Sequence, residues 1–255
     1  MFKPPDFREV QCAQCAKGLD LGFDFSMAFQ PIIDTSNQSV FAYEALVRGL
    51  GGESAGEVFK HVNRDNLYRF DQSCRVKAVK LASELNMGPL LSINFMPNAI
   101  YRPELCIRAT LEACSAYGFP VDRLIFEITE SEEVRERDHL KGIVDHYKQR
   151  GFYTAIDDFG AGYSGLNLVA DIQTDLLKID MALVRNIHQD EVRQCLVKAV
   201  VQFCRDLDIR IIAEGIETRE EFQALDTLGI HLMQGFYFAR PAFETLPEVD
   251  WSLAS

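Results

Sequence analysis

The chain has 255 residues, 47% hydrophobic and 25% charged, with a formal net charge of -12. That is enough apolar material for one sizeable core, and a single α/β barrel fits the length. The acidic balance and the lack of a basic run argue against a groove for duplex nucleic acid. No apolar run approaches the roughly 20 residues of a membrane span, and Met-Phe-Lys-Pro-Pro-Asp at the start lacks the apolar region of a secretory signal. The expectation is a soluble, cytoplasmic protein without a membrane segment.

Residues 1–25 read as a polar, turn-rich amino-terminal extension, and 26–255 as one domain. Met27–Ile33 and Val40–Arg48 read as two strands joined by a polar, hairpin-like turn. A Gly-rich loop follows, then a long helical stretch from about Gly56 to Asn86, where apolar residues recur at helical spacing. From Leu90 strands and helices alternate: strand 90–94, helix 103–117, strand 123–129, helix 132–150, strand 152–157, a short helix to Ala170, strand 175–179, helix 191–207, strand 209–213, helix 218–228 and strand 231–234. Pro103 suits a helix start, while Gly151 and Gly229 suit helix ends. Eight strands with helices after most of them predict a closed (β/α)8 barrel. An open doubly wound sheet is the alternative, but no Gly-x-Gly-x-x-Gly turn follows an early strand.

Seven cysteines form an odd set in mostly helical or apolar runs, which reads as buried free thiols. Cys12-x-x-Cys15 has the spacing of half a zinc or iron site or of a redox pair, but no second pair completes it.

The strand ends carry the chemistry. The second strand holds Glu44 and Arg48, the third ends in Asn94, and the fourth carries Glu127. The fifth ends in the adjacent pair Asp157-Asp158, the sixth carries Lys178 and Asp180, the seventh ends in Glu214 and the eighth in Gln234. In a barrel these positions meet at the carboxyl-terminal mouth. A charge at the end of an apolar strand is costly unless it is paired or bound to a cation. Glu44, Asn94, Glu127, Asp157, Asp158 and Glu214 make an all-oxygen set, which suits Mg²⁺, Mn²⁺ or Ca²⁺ better than zinc. Five acids exceed the need of one cation, so a two-metal site for phosphoryl transfer is reasonable, with Asp157 as the bridge. Lys178 would orient a water and offset charge, and Arg48 would fork onto a phosphate. Taken singly, each residue has a plainer reading. Glu44 with Arg48 and Lys178 with Asp180 could be surface ion pairs, Gln234 a cap, and Asp157-Asp158 a solvated turn. Their convergence on one mouth favours a site.

The same residues form a known pattern. The chain resembles the EAL-domain family of cyclic di-GMP phosphodiesterases over about residues 25–241. The motifs are Gln30-Pro31-Ile32, Glu44-Ala45-Leu46-Val47-Arg48, Ile93-Asn94, Glu127-Ile128-Thr129-Glu130, Asp157-Asp158-Phe159-Gly160, Lys178-Ile179-Asp180, Ala213-Glu214-Gly215-Ile216-Glu217 and Gln234-Gly235-Phe236. The resemblance implies an α/β fold, a modified TIM-like (β/α)8 barrel whose first strand is antiparallel to the second. It implies two Mg²⁺ or Mn²⁺ ions on Glu44, Asn94, Glu127, Asp157, Asp158 and Glu214, with Ca²⁺ inhibitory. Lys178 would contact the nucleophilic water, supported by Gln234, Asp180 and Glu217. Gln30, Leu46, Arg48 and Asn94 would line the nucleotide site. Glu130 would anchor the loop after Asp158, which with the following helix would form a homodimer interface. The implied reaction opens cyclic di-GMP to linear pGpG. Two departures stand out: Gly49 replaces a common Trp, and Gly165 stands where Ser is common. A non-catalytic cyclic di-GMP receptor or protein-interaction module is the alternative.

Overall fold

The computed structural model describes residues 21–96, 106–129, 137–162 and 165–254. Cys12, Cys15, Glu130 and the expected start of the helix at Pro103 lie outside them. The described strands are β1 (Ser26–Asp34), β2 (Ser39–Arg48), β3 (Leu90–Asn94), β4 (Leu124–Thr129), β5 (Tyr153–Phe159), β6 (Leu176–Ile179), β7 (Arg210–Ala213), β8 (Leu232–Met233) and β9 (Ala242–Phe243). The helices are α1 (Ala55–Phe59), α2 (Leu67–Glu84), α3 (Arg108–Tyr117), α4 (Arg137–Gln149), α5 (Gly165–Asp171), α6 (Met181–Val184), α7 (Glu191–Asp206) and α8 (Arg219–Thr227). Strands β2 to β8 run in sequence order around the sheet, and β1 closes it between β8 and β2. The β2-to-β8 neighbours are parallel, whereas β1 is antiparallel to both of its barrel partners. The result is the modified barrel expected from the sequence.

Period-two alternation explains what fills the barrel. Ile32, Ala42, Ile125, Ala155, Leu176 and Ile212 form one buried cluster, with Leu90 and Leu232 packed against it. All eight barrel strands contribute, so this layer is an apolar plug across the interior. Two further clusters lie against the helices. In α4, Leu140, Ile143, Val144 and Tyr147 are buried at the i, i+3, i+4, i+7 spacing of one helix face, and in α7 Val197, Val200, Val201 and Cys204 repeat it.

The structure corrects several details of the sequence reading. The stretch from Gly56 to Asn86 is two helices, because Asn63 and Asn66 exchange side-chain and backbone hydrogen bonds that compete with a continuous helix. The sequence reading did not anticipate α6, which Asp180 caps, or β9, which pairs with Ala28 and Phe29 of β1. Cys74, Cys106, Cys114 and Cys204 are buried free thiols as expected, but Cys195 is exposed. Among the described residues no helix is long and apolar enough to cross a membrane.

The loop after β7 is fixed by a capping box at α8. Thr218 accepts from the Glu221 amide, while fully buried Glu221 accepts from the amides of Glu217, Thr218 and Asn186. Burial opposes the charged form of Glu221, but these three donors and Arg185 outweigh it and hold its carboxyl below the ordinary value. A depressed native pKa stabilises the fold above the unfolded value of about 4.3, and that contribution is lost as pH falls through the native value. Glu221→Gln is therefore expected to cost about 1–3 kcal/mol in urea unfolding at pH 7. The difference from wild type should shrink toward pH 3, and an equal difference at both pH values would contradict this.

Candidate metal and catalytic site

The next layer above the apolar plug is ionic. Two residues beyond each plug position on the parallel strands come Glu44, Ser92, Glu127, Asp157, Lys178, Glu214 and Gln234, while antiparallel β1 contributes Gln30, two residues before Ile32. Strand alternation therefore aims all eight side chains at one level of the interior. The ladder runs past the strand ends and holds the layer in place. The Asp180 amide donates to the Phe159 carbonyl at 3.1 Å, Glu214 to Ile179 at 3.1 Å and Gln234 to Ala213 at 2.8 Å.

Lys178 is at the centre, 1% exposed. Its Nζ lies 2.6 Å from Glu214 Oε1, 2.9 Å from Glu127 Oε1, 3.1 Å from Asp157 Oδ1 and 3.5 Å from Glu44 Oε2. Asn94 Nδ2 and Gln234 Nε2 donate to the two oxygens of Glu44 at 3.0 and 2.8 Å. Ser92 Oγ donates to Glu127 Oε1 at 2.6 Å. Ser92 is a member that the sequence reading overlooked. Its signal was the period-two line Leu90, Ser92, Asn94, which places it level with Glu44.

Four carboxylates thus share one ammonium. Burial alone would lower Lys178, but Asp157, Glu127, Glu214 and Glu44 outweigh it and raise its pKa well above the ordinary value. Burial pushes Glu127 up to about 8 against the pull of Lys178, and it raises Asp157 and Glu214 as well. Glu44 goes the other way: burial is outweighed by Lys178, Gln234 and Asn94. Burial, followed by the neighbouring Asp157, pushes Asp158 up to about 6.

Adjacent residues on a regular strand face opposite sides, yet the Asp157 and Asp158 carboxylates work together. The β5–β6 register shifts between Ile156 and Phe159, and Asp158 takes a left-handed backbone with φ +58°. This bulge turns both acids toward Glu214, and the three offer oxygens within 4.8 Å of one another. Gly160 completes the turn at φ +99°, and a Cβ there would fall 2.4 Å from Leu183 Cδ1. Gly235 has a different role: a Cβ on it would lie 2.0 Å from the Ile216 carbonyl oxygen, so only glycine lets the backbone after Gln234 pass the loop after β7.

The donor set fits hard divalent cations. It is all oxygen, its acids outnumber its ammonium, and among the described residues Glu127 Oε2 is buried without a hydrogen-bond partner. None of the five histidines joins it.

Other expected site residues lie around this layer. Gln30 is buried and donates to the Ala239 carbonyl at 3.2 Å. Leu46 and Arg48 are half-buried at the end of β2. Arg48 donates to its neighbour's carbonyl, on Val47, at 2.7 Å, while Glu44 turns inward, so the surface ion pair between them is not formed. Lys178 and Asp180 are not a pair either, since Asp180 caps α6 by accepting from the Ala182 amide at 2.8 Å. Gln234 is a hydrogen-bond donor to Glu44 and not a cap. Glu217 stands off from Lys178 and pairs with Arg185 at 2.8 Å. At Gly49, a Cβ would fall 2.1 Å from Glu53 Oε2, so the Glu53 carboxylate takes the space a larger side chain would need.

Comparison with known proteins agrees with this geometry. A standalone EAL protein of Vibrio cholerae O395, in its c-di-GMP bound form, is 55% identical with a TM-score of 0.90, over 92% of this chain and 100% of that one. Klebsiella pneumoniae BlrP1, in a manganese/cy-diGMP complex, is 36% identical with a TM-score of 0.84, over 89% of this chain and 58% of that one. Among curated relatives from Escherichia coli K12, the blue light- and temperature-regulated antirepressor BluF is 30% identical over 88% of this chain and 56% of its own length. The probable cyclic di-GMP phosphodiesterase PdeG is 33% identical over 63% of this chain and 32% of its own length. The chain thus spans about half or less of these curated relatives. The EAL domain model matches residues 16–241, and the chain belongs to the EAL-domain family.

Proposed function

We propose that the chain is a cytoplasmic phosphodiesterase that hydrolyses cyclic di-GMP to linear pGpG with two Mg²⁺ or Mn²⁺ ions. The observation that carries this reading is the ionic layer, where four buried carboxylates surround Lys178 and, among the described residues, one Glu127 oxygen has no hydrogen-bond partner. Glu44, Asn94, Glu127, Asp157, Asp158 and Glu214 would hold the ions, which supply Lewis acidity and a water of lowered pKa. Lys178, fixed on several sides, would orient that water and offset charge on the phosphate. Gln234 keeps Glu44 turned inward, and Asp180 and Glu217 steady the loops that flank Lys178 and Glu214. Gln30, Leu46, Arg48 and Asn94 would receive the nucleotide, with Arg48 leaving its backbone partner for a phosphate oxygen. The ligand-bound Vibrio and Klebsiella relatives support the substrate class. BluF, an antirepressor, favours a second reading as a non-catalytic receptor.

Incubation with cyclic di-GMP should give pGpG with Mg²⁺ or Mn²⁺ and little with Ca²⁺, and Asp157→Ala should lower turnover at least ~100-fold. Nucleotide binding without hydrolysis in every metal would support the receptor reading instead.

Lys178→Met removes the shared ammonium and leaves like charges facing one another. Its expected cost in metal-free buffer is about 3–5 kcal/mol, the range for breaking a buried pair. Millimolar Mn²⁺ should recover part of the lost thermal stability. No loss in EDTA would contradict the central place given to Lys178.

The chain is proposed to form a homodimer through the loop after Asp158 and α5. Leu166, on the first turn of α5, is 68% exposed, and such an apolar residue suits an interface core. In sedimentation equilibrium Leu166→Glu should shift the protein toward monomer, whereas a monomeric wild type would refute the interface.

A further inference from the structure

A second buried polar cluster lies behind the barrel wall, outside the ionic layer. Arg75 and Asp71, four apart on α2, form an ion pair at 2.6 Å with side-chain exposures of 0% and 2%. The Asp71 Oδ2 that receives Arg75 Nη2 leaves Oδ1 to accept from the Met96 amide at 3.0 Å. Arg75 Nη1 reaches the Cys106 carbonyl at 3.4 Å and Thr110 Oγ1 at 3.3 Å. Removing two charges from water is expensive, and an apolar pair would hold α2 against α3 as well. The cluster does something an apolar pair would not, since Asp71 anchors a backbone amide beyond the barrel.

Met96 lies two residues after Asn94. The chain between them is held from one side by the Phe95 amide on the Glu127 carbonyl at 3.1 Å and from the other by Met96 on Asp71. Asn94 donates to Glu44, so its position also sets one face of the ionic layer. Phe95 also packs its ring against Phe126 and Tyr147. We infer that Asp71, oriented by Arg75, is a positioning residue for the cation site: it pins the strand end so that Asn94 sits at ligand distance. The inference rests on the cation reading above. Partners that orient metal ligands typically carry 10–100-fold in metal affinity or activity.

The experiment measures Mn²⁺ binding to the full chain by calorimetry. Two variants remove the tether in different ways. Asp71→Leu combined with Arg75→Met replaces the ion pair with apolar bulk, whereas Met96→Pro deletes the donor, with the added backbone restraint of proline, and leaves the pair. Each is compared with Asn94→Ala and combined with it. The expected result is a loss of Mn²⁺ affinity of at least ~10-fold in either folded tether variant, with little further loss when Asn94→Ala is added, because both act through one ligand. Wild-type affinity in a folded tether variant, beside a weakened Asn94→Ala protein, would overturn the positioning role alone. Losses that add fully would also overturn it, as general loosening. Wild-type affinity in Asn94→Ala would instead overturn the assignment of Asn94 to the cation site.

Discussion

One ammonium inside a ring of carboxylates is the constraint on which the rest of this molecule depends. Lys178 cannot leave its place without exposing Glu44, Glu127, Asp157 and Glu214 to one another, and they cannot be buried without it. The apolar plug below excludes water from that side. The charges must therefore be balanced from within the layer or from the mouth. Ser92, Asn94 and Gln234 are the neutral donors that divide the work: each binds a specific carboxylate oxygen and leaves others open. Such an arrangement is poor for stability alone and well suited to cations, which bring the charge that Lys178 by itself cannot supply.

Backbone exceptions gather where this layer meets the loops. Asp158 in a left-handed conformation, the β5 bulge, Gly160 against Leu183 and Gly235 against Ile216 all lie within a few residues of the acids or of Gln234. Gly215, at φ +69°, belongs with them: a Cβ there would lie 2.4 Å from Met181 Cβ. These are places where a regular strand cannot deliver the side chain required, so the chain accepts strained or side-chain-free positions. Met181 is itself 46% exposed, which links an outer surface directly to the residue after Glu214.

Much of this was legible in the sequence because period-two alternation is a strong code. Apolar residues at Ala42, Ile125, Ala155 and Ile212, each followed two places on by an acid, mark both the strands and the face on which the acids lie. Four kinds of feature were not legible. The bulge at Asp157-Asp158 is a pairing register, which depends on β6 and not on local residues. Glu217 turned to Arg185, and Arg48 to its own neighbour's carbonyl, because long side chains choose among partners that only the fold brings near. The Asp71–Arg75 pair drew no notice, since nothing in the sequence of α2 reveals that Met96 comes to lie against it. The break between α1 and α2 falls in a polar run, Asn63 to Asn66, whose mutual hydrogen bonds only the folded chain displays.

The reversed first strand has a topological effect. Ser26 pairs with Arg48, so β1 begins at the end of the barrel where the parallel strands finish and runs down toward the plug. In an all-parallel barrel the chain enters through the floor, remote from the chemistry. Here Leu21–Phe25 lead into β1 at the rim, and β9 returns to the same rim beside Ala28 and Phe29. The start of β1 and the end of β9 thus both lie at the end of the barrel where the ionic layer opens, so a module docked against β1's first residues would face that mouth without having to reach around the protein.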